Sequence, residues 1–331
     1  MKMRKLMLFF IIVCLLVIGI FAIYSTTNAA EEYPTKPITA IVPYNAGGST
    51  DRSLRMIQPF LEEELGVPVV VENHPGAGTE IGSTLLYRAP ADGYTFEAIM
   101  WAEMILTTIF QNPIYQYEDF NVLLLQNVDP RVLLVRKDSA LNNLTDIIEE
   151  AKRNPGKLAF STTTGNQELL LRALRNKFKI DFRIVIYDGG STSRGAMIGG
   201  HTDGAMGEAS GAYYLRDQTK CAVLFDDKPN SLWPECEPFT DLIKAYGVEM
   251  PTLPAIGIYM VRQELREQYP DRYNKLVDAF LRASKNPKYL ELADKAEITR
   301  VLVWKGAEEY SEMFDDQYKF IKETKYLWEE K

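Results

Sequence analysis

The chain has 331 residues, of which 46% are hydrophobic, and it carries 37 basic and 45 acidic side chains. A chain of this length buries either one large core or two cores of ordinary domain size. Its net charge of −8 repels nucleic acid and anionic membranes, which excludes them as general partners but allows a local positive pocket.

The N-terminus has the pattern of a secretory signal. Three positive charges lie within Met1–Lys5, the 18 residues Leu6–Ile23 are apolar and uncharged, and Ser25–Ala30 is small and polar. We therefore predict a signal over residues 1–30 and a periplasmic protein, whose remaining 34 basic and 45 acidic residues give a net charge of −11. The apolar run is close to the ~20 residues of a membrane-spanning helix, so a retained N-terminal anchor stays open.

A first α/β series follows the signal. Ile38–Val42 has the pattern of a buried strand, and a helix over Asp51–Leu65 places Leu54, Ile57 and Leu61 on one face. Further strands are predicted at 67–71 and 94–100, with a helix at 79–88 between them. This β-α-β-α-β order predicts a parallel sheet covered by helices.

A second series begins after Pro130. Its predicted strands are 132–135, 158–160, 182–187, 202–206 and 222–225, and its predicted helices are 144–154, 167–178 and 192–198. A last strand is predicted at 255–261, followed by C-terminal helices at 270–283, 288–296 and 307–328. Two such series predict an α/β protein with two lobes.

Three loops share one design, in which a strand is followed by a turn rich in glycine, serine or threonine and then by a helix. They are Ala46–Asp51, Ser161–Gln167 and Asp188–Ser193. Ligands bind at the carboxyl ends of such strands, and each helix start offers unpaired N–H groups and a partial positive charge. The loops therefore indicate an anion site that needs no arginine or lysine. The alternative is that each loop only caps its helix, with Asp51 and Ser193 as N-caps.

Other chemistries find little support in the sequence. The glycines of Gly76–Gly82 miss the G-x-G-x-x-G spacing by one residue, so no dinucleotide cofactor is predicted. The two histidines, His74 and His201, lack the neighbouring ligands of a metal site, and no G-x-S-x-G nucleophile motif occurs. We predict no catalysis, no cofactor and no metal.

Two cysteines follow the signal, Cys221 and Cys236. In an exported protein an even pair suggests a disulfide, which contributes about 3 kcal/mol for a loop this short. Two free thiols remain equally open at this point.

Several short blocks of residues occur in order between the mature N-terminus and Asp203. They are Tyr33–Ile38 with Val42–Asp51, Val69–Gly78, Ala91–Thr95, and Tyr187–Gly190 with Gly199–Asp203. Together these blocks resemble the Bug-type extracytoplasmic solute-binding proteins that serve tripartite tricarboxylate transporters. The C-terminal third carries no such block.

The resemblance implies a two-lobed Venus-flytrap binding protein of type II, with a mainly parallel sheet flanked by helices in each lobe. Two crossing strands are expected near Val128–Arg136 and Leu253–Val261. Lobe 1 would comprise residues 31–131 and 256–331, and lobe 2 residues 132–255. We expect such a receptor to be a monomer. It binds a small carboxylate in the interlobe cleft, which can be an organic acid, an aromatic carboxylate or an amino acid, and it delivers this ligand to the permease subunits of the transporter.

The resemblance also implies which residues bind the ligand, with neutral backbone donors and hydroxyl groups dominating. They are Tyr44, Asn45, Ala46, Gly47, Gly48, Ser49, Thr50, Asp51, Trp101, Glu103, Thr162, Thr163, Thr164, Gly165, Asn166, Asp188, Gly189, Gly190 and Glu208. Trp101 and Glu103 are placed in the loop after the strand at 94–100.

Two acidic residues depart from a purely anion-binding pattern. Glu103 and Glu208 would put negative charge in the cleft, and one hypothesis is that either pairs with a ligand ammonium. The alternative is that both are solvated or capping carboxylates. Two other functions stay open: a sensor subunit that presents ligand to a membrane kinase, and a secreted hydrolase, which the missing nucleophile and base disfavour.

Overall fold

Strands and helices alternate along the chain and build two β-sheets. The computed structural model describes residues 32–329, and from Lys36 onward the chain forms one compact unit. The predicted signal over residues 1–30 lies outside the described residues. Within the described residues no helix is long and apolar enough to cross a bilayer.

The eleven strands in the described part of the chain divide between a six-stranded and a five-stranded sheet. The first sheet contains β1 (Ile38–Val42), β2 (Val69–Asn73), β3 (Thr95–Met100), β4 (Phe120–Asp129), β10 (Ala255–Arg262) and β11 (Leu302–Lys305), in the order β11-β4-β10-β3-β1-β2. The second contains β5 (Arg131–Arg136), β6 (Ala159–Thr162), β7 (Arg183–Ile186), β8 (Gly204–Glu208) and β9 (Thr219–Phe225), in the order β7-β6-β8-β5-β9. We call each sheet with its helices a lobe, lobe 1 for the first and lobe 2 for the second.

The helices pack on the faces of these sheets. In chain order they are α1 (Ser49–Leu65), α2 (Glu80–Arg88), α3 (Trp101–Gln111), α4 (Leu144–Arg153), α5 (Asn166–Phe178), α6 (Gly190–Ile198), α7 (Ala209–Ala212), α8 (Phe239–Lys244), α9 (Glu264–Gln268), α10 (Pro270–Ala283), α11 (Pro287–Lys295), α12 (Ser311–Glu323) and α13 (Tyr326–Glu329). The sequence patterns did not indicate helices α3, α7, α8 and α9 or strands β4 and β11.

Both sheets are mixed rather than mainly parallel. The β-α-β units supply the parallel pairs, which are β1 with β2 and β3, and β6 with β7 and β8. Strands β4, β5, β9, β10 and β11 pair antiparallel with their neighbours. The difference arises because the strand through which the chain enters lobe 2 (β5) and the strand through which it re-enters lobe 1 (β10) run against the β-α-β strands, as does β11.

The chain crosses from the first sheet to the second at Pro130, which separates β4 from β5. Proline fixes its own φ and has no N–H to donate, so the ladder is interrupted there. The chain returns through Leu253 and Pro254, directly before β10. Both points lie within the predicted crossing segments. We keep the predicted lobe boundaries as a proposal that these crossings support, shifted by one residue so that Arg131 belongs to lobe 2 and Ala255 to lobe 1.

The C-terminal helices pack on lobe 1 and then extend to lobe 2. Helix α12 covers α3, where the Phe314 and Trp101 ring centroids lie 4.3 Å apart. The final helix, α13, reaches α5 of lobe 2, because Arg172 Nη1 donates to the Leu327 carbonyl at 2.9 Å. The single helix predicted over 307–328 is therefore two helices after a short 3₁₀ turn at Ala307–Tyr310.

In lobe 2, Cys221 and Cys236 form a disulfide with their Cα atoms 5.7 Å apart. Cys221 lies on β9, and Cys236 lies in the segment that leads to α8. Both are buried in the same apolar cluster as Trp233 and Met197, so the bridge ties this segment to the second sheet.

Candidate ligand-binding cavity

Residues of both lobes line one cavity of about 1120 Å³. Parts of its wall are the loops that precede α1, α5 and α6, which are the three loops that the sequence singled out. These helices follow Gly48, Gly165 and Gly189, and no side chain caps any of the three. Their first N–H groups and partial positive charges therefore face a common space.

The side-chain caps that the alternative interpretation of the loops expected at Asp51 and Ser193 are absent. Asp51 accepts a hydrogen bond from the Gly47 N–H, which precedes the helix, and Ser193 Oγ has no hydrogen-bond partner among the described residues. Neither side chain acts as an N-cap. Gly165 has a φ of +94°, a backbone conformation that glycine adopts more readily than other residues.

The Asp51 carboxylate fixes the conformation of the lobe 1 loop that precedes α1. Its carboxylate accepts hydrogen bonds from Gly47 N at 2.8 Å and from Asn73 Nδ2 and Arg55 Nε, both at 2.9 Å. Asn73 Nδ2 also donates to the Tyr44 carbonyl at 3.1 Å. Although burial opposes ionisation, these hydrogen bonds and the Arg55 charge lower the pKa of Asp51. Asp51 therefore positions the loop and does not line the cavity.

Helix α3 supplies the second part of the lobe 1 wall. It begins at Trp101 directly after β3, so Trp101 and Glu103 lie in its first turn and not in the predicted loop. Met100 precedes the helix in an extended conformation, and its N–H donates to Tyr44 Oη at 3.2 Å. Burial, followed by the nearby Glu103 charge, raises the pKa of Tyr44, so its phenol stays neutral.

Glu103 reaches from this helix towards lobe 2. A Cβ atom built on Gly165 would lie 3.6 Å from Glu103 Oε1. Burial raises the pKa of Glu103 and the Glu208 carboxylate adds to the effect, while the Arg131 guanidinium opposes it. Glu103 Oε2 is shielded from solvent and has no hydrogen-bond partner among the described residues.

Most of the residues predicted to bind ligand line this cavity. They are Tyr44, Asn45, Gly47, Gly48, Ser49, Thr50, Glu103, Thr163, Thr164, Gly165, Asp188, Gly189, Gly190 and Glu208. Contact of these residues with a ligand stays a prediction.

Five predicted residues do not line the cavity: Ala46, Asp51, Trp101, Thr162 and Asn166. Ala46 is exposed elsewhere on its loop, and Trp101 packs against Phe314. Thr162 is buried, and its hydroxyl donates to the Thr163 carbonyl at 3.1 Å. Asn166 is buried beside Arg131, as Asp51 is buried behind its loop, so these side chains position their neighbours.

Arg131 lines the cavity but was not among the predicted residues. Only 1% of it is exposed, its Nη1 donates to Glu208, and its Nη2 donates to Asn166 Oδ1 at 2.6 Å. Arg131 and Glu208 are Cα partners in the antiparallel pairing of β5 with β8, and Gln167 Nε2 also donates to Glu208 Oε1 at 2.8 Å. Although burial opposes ionisation, Arg131 and then Arg194 lower the pKa of Glu208. Glu208 is therefore already held as an ion-pair partner.

Arg194 is another charged lining residue that the sequence analysis missed. It lies in α6 and is 7% exposed, and its guanidinium lies 5.7 Å from the ring centroid of Tyr214. It passes over Gly190, where an added Cβ would come within 2.9 Å of Nη1. No described residue accepts a hydrogen bond from this guanidinium. The available signal was that Arg194 is the one charged residue of Gly190–Ile198.

The sequence matches one family over most of its length. The family described as "Tripartite tricarboxylate transporter family receptor" matches residues 53–326. The chain belongs to this receptor family. Among its relatives, the UPF0065 protein in the gbd 5′ region of Cupriavidus necator is 30% identical over 79% of each chain. Protein BugT of Bordetella pertussis is 35% identical over 48% of this chain and 51% of its own.

Solved structures share the fold of this receptor. MatC of Rhodopseudomonas palustris with bound malate superimposes with a TM-score of 0.72 at 18% identity, over 88% of this chain and 99% of its own. A second R. palustris protein, with adipate, gives 0.73 at 16% identity over 89% and 98%. The receptor therefore has the two-lobed fold of these binding proteins. Its cavity differs from the neutral site expected from the sequence, because two buried arginines line it.

Proposed function

We propose that this receptor binds a small carboxylate in the interlobe cavity and delivers it, chemically unchanged, to the permease subunits of a tripartite tricarboxylate-type transporter. The observation that carries the proposal is the meeting of three uncapped helix N-termini, one from lobe 1 and two from lobe 2, at one cavity. Their N–H groups and helix dipoles stabilise an anion held between them.

Two structures with the same fold support the ligand class. One contains malate and the other adipate, and both compounds are small organic acids. A cavity of about 1120 Å³ holds a molecule of this size together with bridging water.

The connections between the lobes support a closing motion. Pro130 and the Leu253–Pro254 segment join the two sheets, so a small change in their dihedral angles reorients one lobe against the other. A ligand that contacts both lobes binds the closed arrangement more tightly and shifts the population towards it.

Isothermal titration calorimetry with malate, adipate and benzoate tests the proposal. We expect saturable binding of one molecule per chain for at least one acid, and no heat from the corresponding uncharged amide. At a ligand concentration of 100 Kd the same acid should raise the free energy of unfolding by about 2.7 kcal/mol. Absence of binding across a wide panel of carboxylates would count against the function.

Transport and location need separate tests. Cell fractionation should place the protein in the periplasm. The protein should be soluble there if the N-terminal signal is cleaved and membrane-anchored if it is not.

We expect a strain without this gene to lose uptake of the bound acid, and uptake to return when the gene is restored. Unchanged uptake in the deletion strain would favour a sensor over a transport receptor.

A further inference from the structure

We propose that Glu103 and Arg194, which lie on opposite lobes, select a zwitterionic ligand by pairing with its charges. Such a ligand carries both a carboxylate and a cationic nitrogen. Arg194 of lobe 2 pairs with the ligand carboxylate, and Glu103 of lobe 1 pairs with the cationic nitrogen. The inference rests on the proposed function, because it names the class of acid that the same cavity takes.

Four charged side chains of alternating sign connect the two lobes along the cavity wall. Glu103 interacts electrostatically with Arg131, Arg131 is ion-paired with Glu208, and Glu208 interacts with Arg194. All four line the cavity. Arg52 and Asp188 also line it, but both are exposed, so solvent and salt screen their charges.

The two inner members of this series are satisfied by the protein itself. Arg131 donates to Glu208 and Asn166, and Glu208 accepts a further hydrogen bond from Gln167. Drawing Glu208 away towards a ligand would leave the Arg131 side chain, which is only 2% exposed, without its ion-pair partner, and this is costly. The inner pair is therefore a fixed part of the wall.

The two outer members lack such partners. Arg194 is 7% exposed, yet no described residue accepts a hydrogen bond from it. No other described residue donates a hydrogen bond to the Glu103 carboxylate, and its Oε2 is shielded from solvent. A charged group removed from water is unfavourable until a partner of opposite charge or a proton compensates it. The cavity thus offers one guanidinium and one carboxylate for pairing.

The chemistry of these groups defines the ligand. A guanidinium fork matches the two oxygens of a carboxylate, and Gly190 leaves the space that this fork occupies. At Glu103 a cationic nitrogen favours the charged carboxylate, whereas a second ligand carboxylate would meet like charge. An amino acid or another zwitterion satisfies both groups, and a dicarboxylate satisfies only one.

Matched ligand pairs test the inference by calorimetry on the purified protein. Each pair differs only at the nitrogen: glutamate against 2-hydroxyglutarate, phenylalanine against phenyllactate, and 6-aminohexanoate against hexanoate. We expect the nitrogen-containing member of at least one pair to bind at least tenfold more tightly. The pairs also place the nitrogen at different distances from the carboxylate, so the preferred pair reports the spacing of the two charges.

Variants assign the preference to the two residues. Glu103→Gln should lower the preference for the nitrogen-containing member to within about threefold, because the shape is kept and the charge is lost. Arg194→Gln should weaken binding of both members tenfold or more. Gly190→Ala should weaken both members as well, since its Cβ displaces the guanidinium, whereas Gly195→Ala in the same helix has open space and serves as the control. Thermal melts of each variant check that it is folded.

The outcomes separate this inference from the function on which it rests. If dicarboxylates and hydroxy acids bind but amino compounds bind no better, the inference is wrong and the carboxylate receptor stands. An unchanged preference in a folded Glu103→Gln variant also overturns it. If neither the nitrogen-containing acids nor their nitrogen-free counterparts bind, the proposed function fails together with the inference.

Discussion

On the lobe 1 side of the cavity, the Asp51 carboxylate binds donors behind the loop, and Glu103 is an acidic side chain that lines the wall. On the lobe 2 side, Arg131 and Arg194 are themselves part of the wall and are almost completely buried. Lobe 1 therefore presents a preorganised loop with one carboxylate, and lobe 2 presents guanidinium groups whose stability depends on partners. The comparison teaches that one cavity can combine a loop fixed by hydrogen bonds from behind with a wall of charged side chains.

Breaking the ionic wall should have the largest effect. We expect Glu208→Met to lower the free energy of unfolding by roughly 3–5 kcal/mol, because the Arg131 side chain, which is only 2% exposed, loses its ion-pair partner. Urea unfolding measures the change. Arg136→Met removes a guanidinium that pairs with Asp138 at the surface, and it should cost less than about 1 kcal/mol. Equal losses in the two variants would show that Arg131 behaves as a surface residue.

The boundary between the lobes should give the receptor a pH-dependent stability. Asp129 ends β4, accepts a hydrogen bond from Ser210 N at 3.1 Å in lobe 2, and has its pKa raised by burial to about 7. Below pH ~4 it is protonated in both states, so its contribution is fully present there. As the pH rises from about 4 to about 7 the unfolded state ionises first, and stability falls by at most about 4 kcal/mol.

Asp129→Asn tests this dependence by removing the titrating group. Thermal melts between pH 4 and 8 should show a flatter profile for the variant, with its largest gain over the unmodified protein near pH 8. Glu97, whose pKa burial raises to about 8, adds a slope of the same sign that remains in both proteins. Asp138→Asn, at an exposed carboxylate, is the control and should leave the profile unchanged. An identical slope in Asp129→Asn would contradict the assignment.

Loosening the lobe 1 loop should have a smaller effect on stability. Asp51→Ala removes three hydrogen bonds to a buried carboxylate, and we expect a loss of about 2–3 kcal/mol. Ligand affinity should also fall, because Gly47 and Tyr44 lose their fixed positions. Asp51→Asn keeps an acceptor oxygen and should recover part of the stability, as measured by urea unfolding and calorimetry. A loop that binds ligand normally in Asp51→Ala would break the comparison between the two faces.

Glycine substitutions should change stability less than the variants above, and by similar amounts in the two lobes. Gly47 in lobe 1 and Gly165 in lobe 2 both have positive φ, so changing either to alanine should cost roughly 1–2 kcal/mol through backbone strain. Gly195 lies within α6 with open space around it, and Gly195→Ala should stabilise the protein by about 0.5 kcal/mol. Thermal melts at one pH compare the three. A gain in stability at Gly47 or Gly165 would contradict the assigned strain.

The local parts of the fold were predictable because they depend on neighbouring residues. The apolar periodicity of α1 placed the helix from Asp51, two residues inside its observed start at Ser49, and the same pattern located α5 and α6. Trp101–Glu103 was assigned to a loop because the sequence patterns indicated no helix after the strand at 94–100; the helix starts there because α3 buries Met104 and Ile105 in the core. Strand β11 was not predicted, since four residues carry too little periodicity.

By itself the sequence determined the α/β class, the three glycine-rich loops and the family, because each of these can be recognised from short continuous segments of the chain. Only the tertiary structure decided that Arg131 meets Glu208, 77 residues later in the chain, and that Arg194 stands beside them without an acceptor. The physical reason is that an ion pair depends on strand register and helix packing between distant segments, and a single sequence does not encode these in any local pattern.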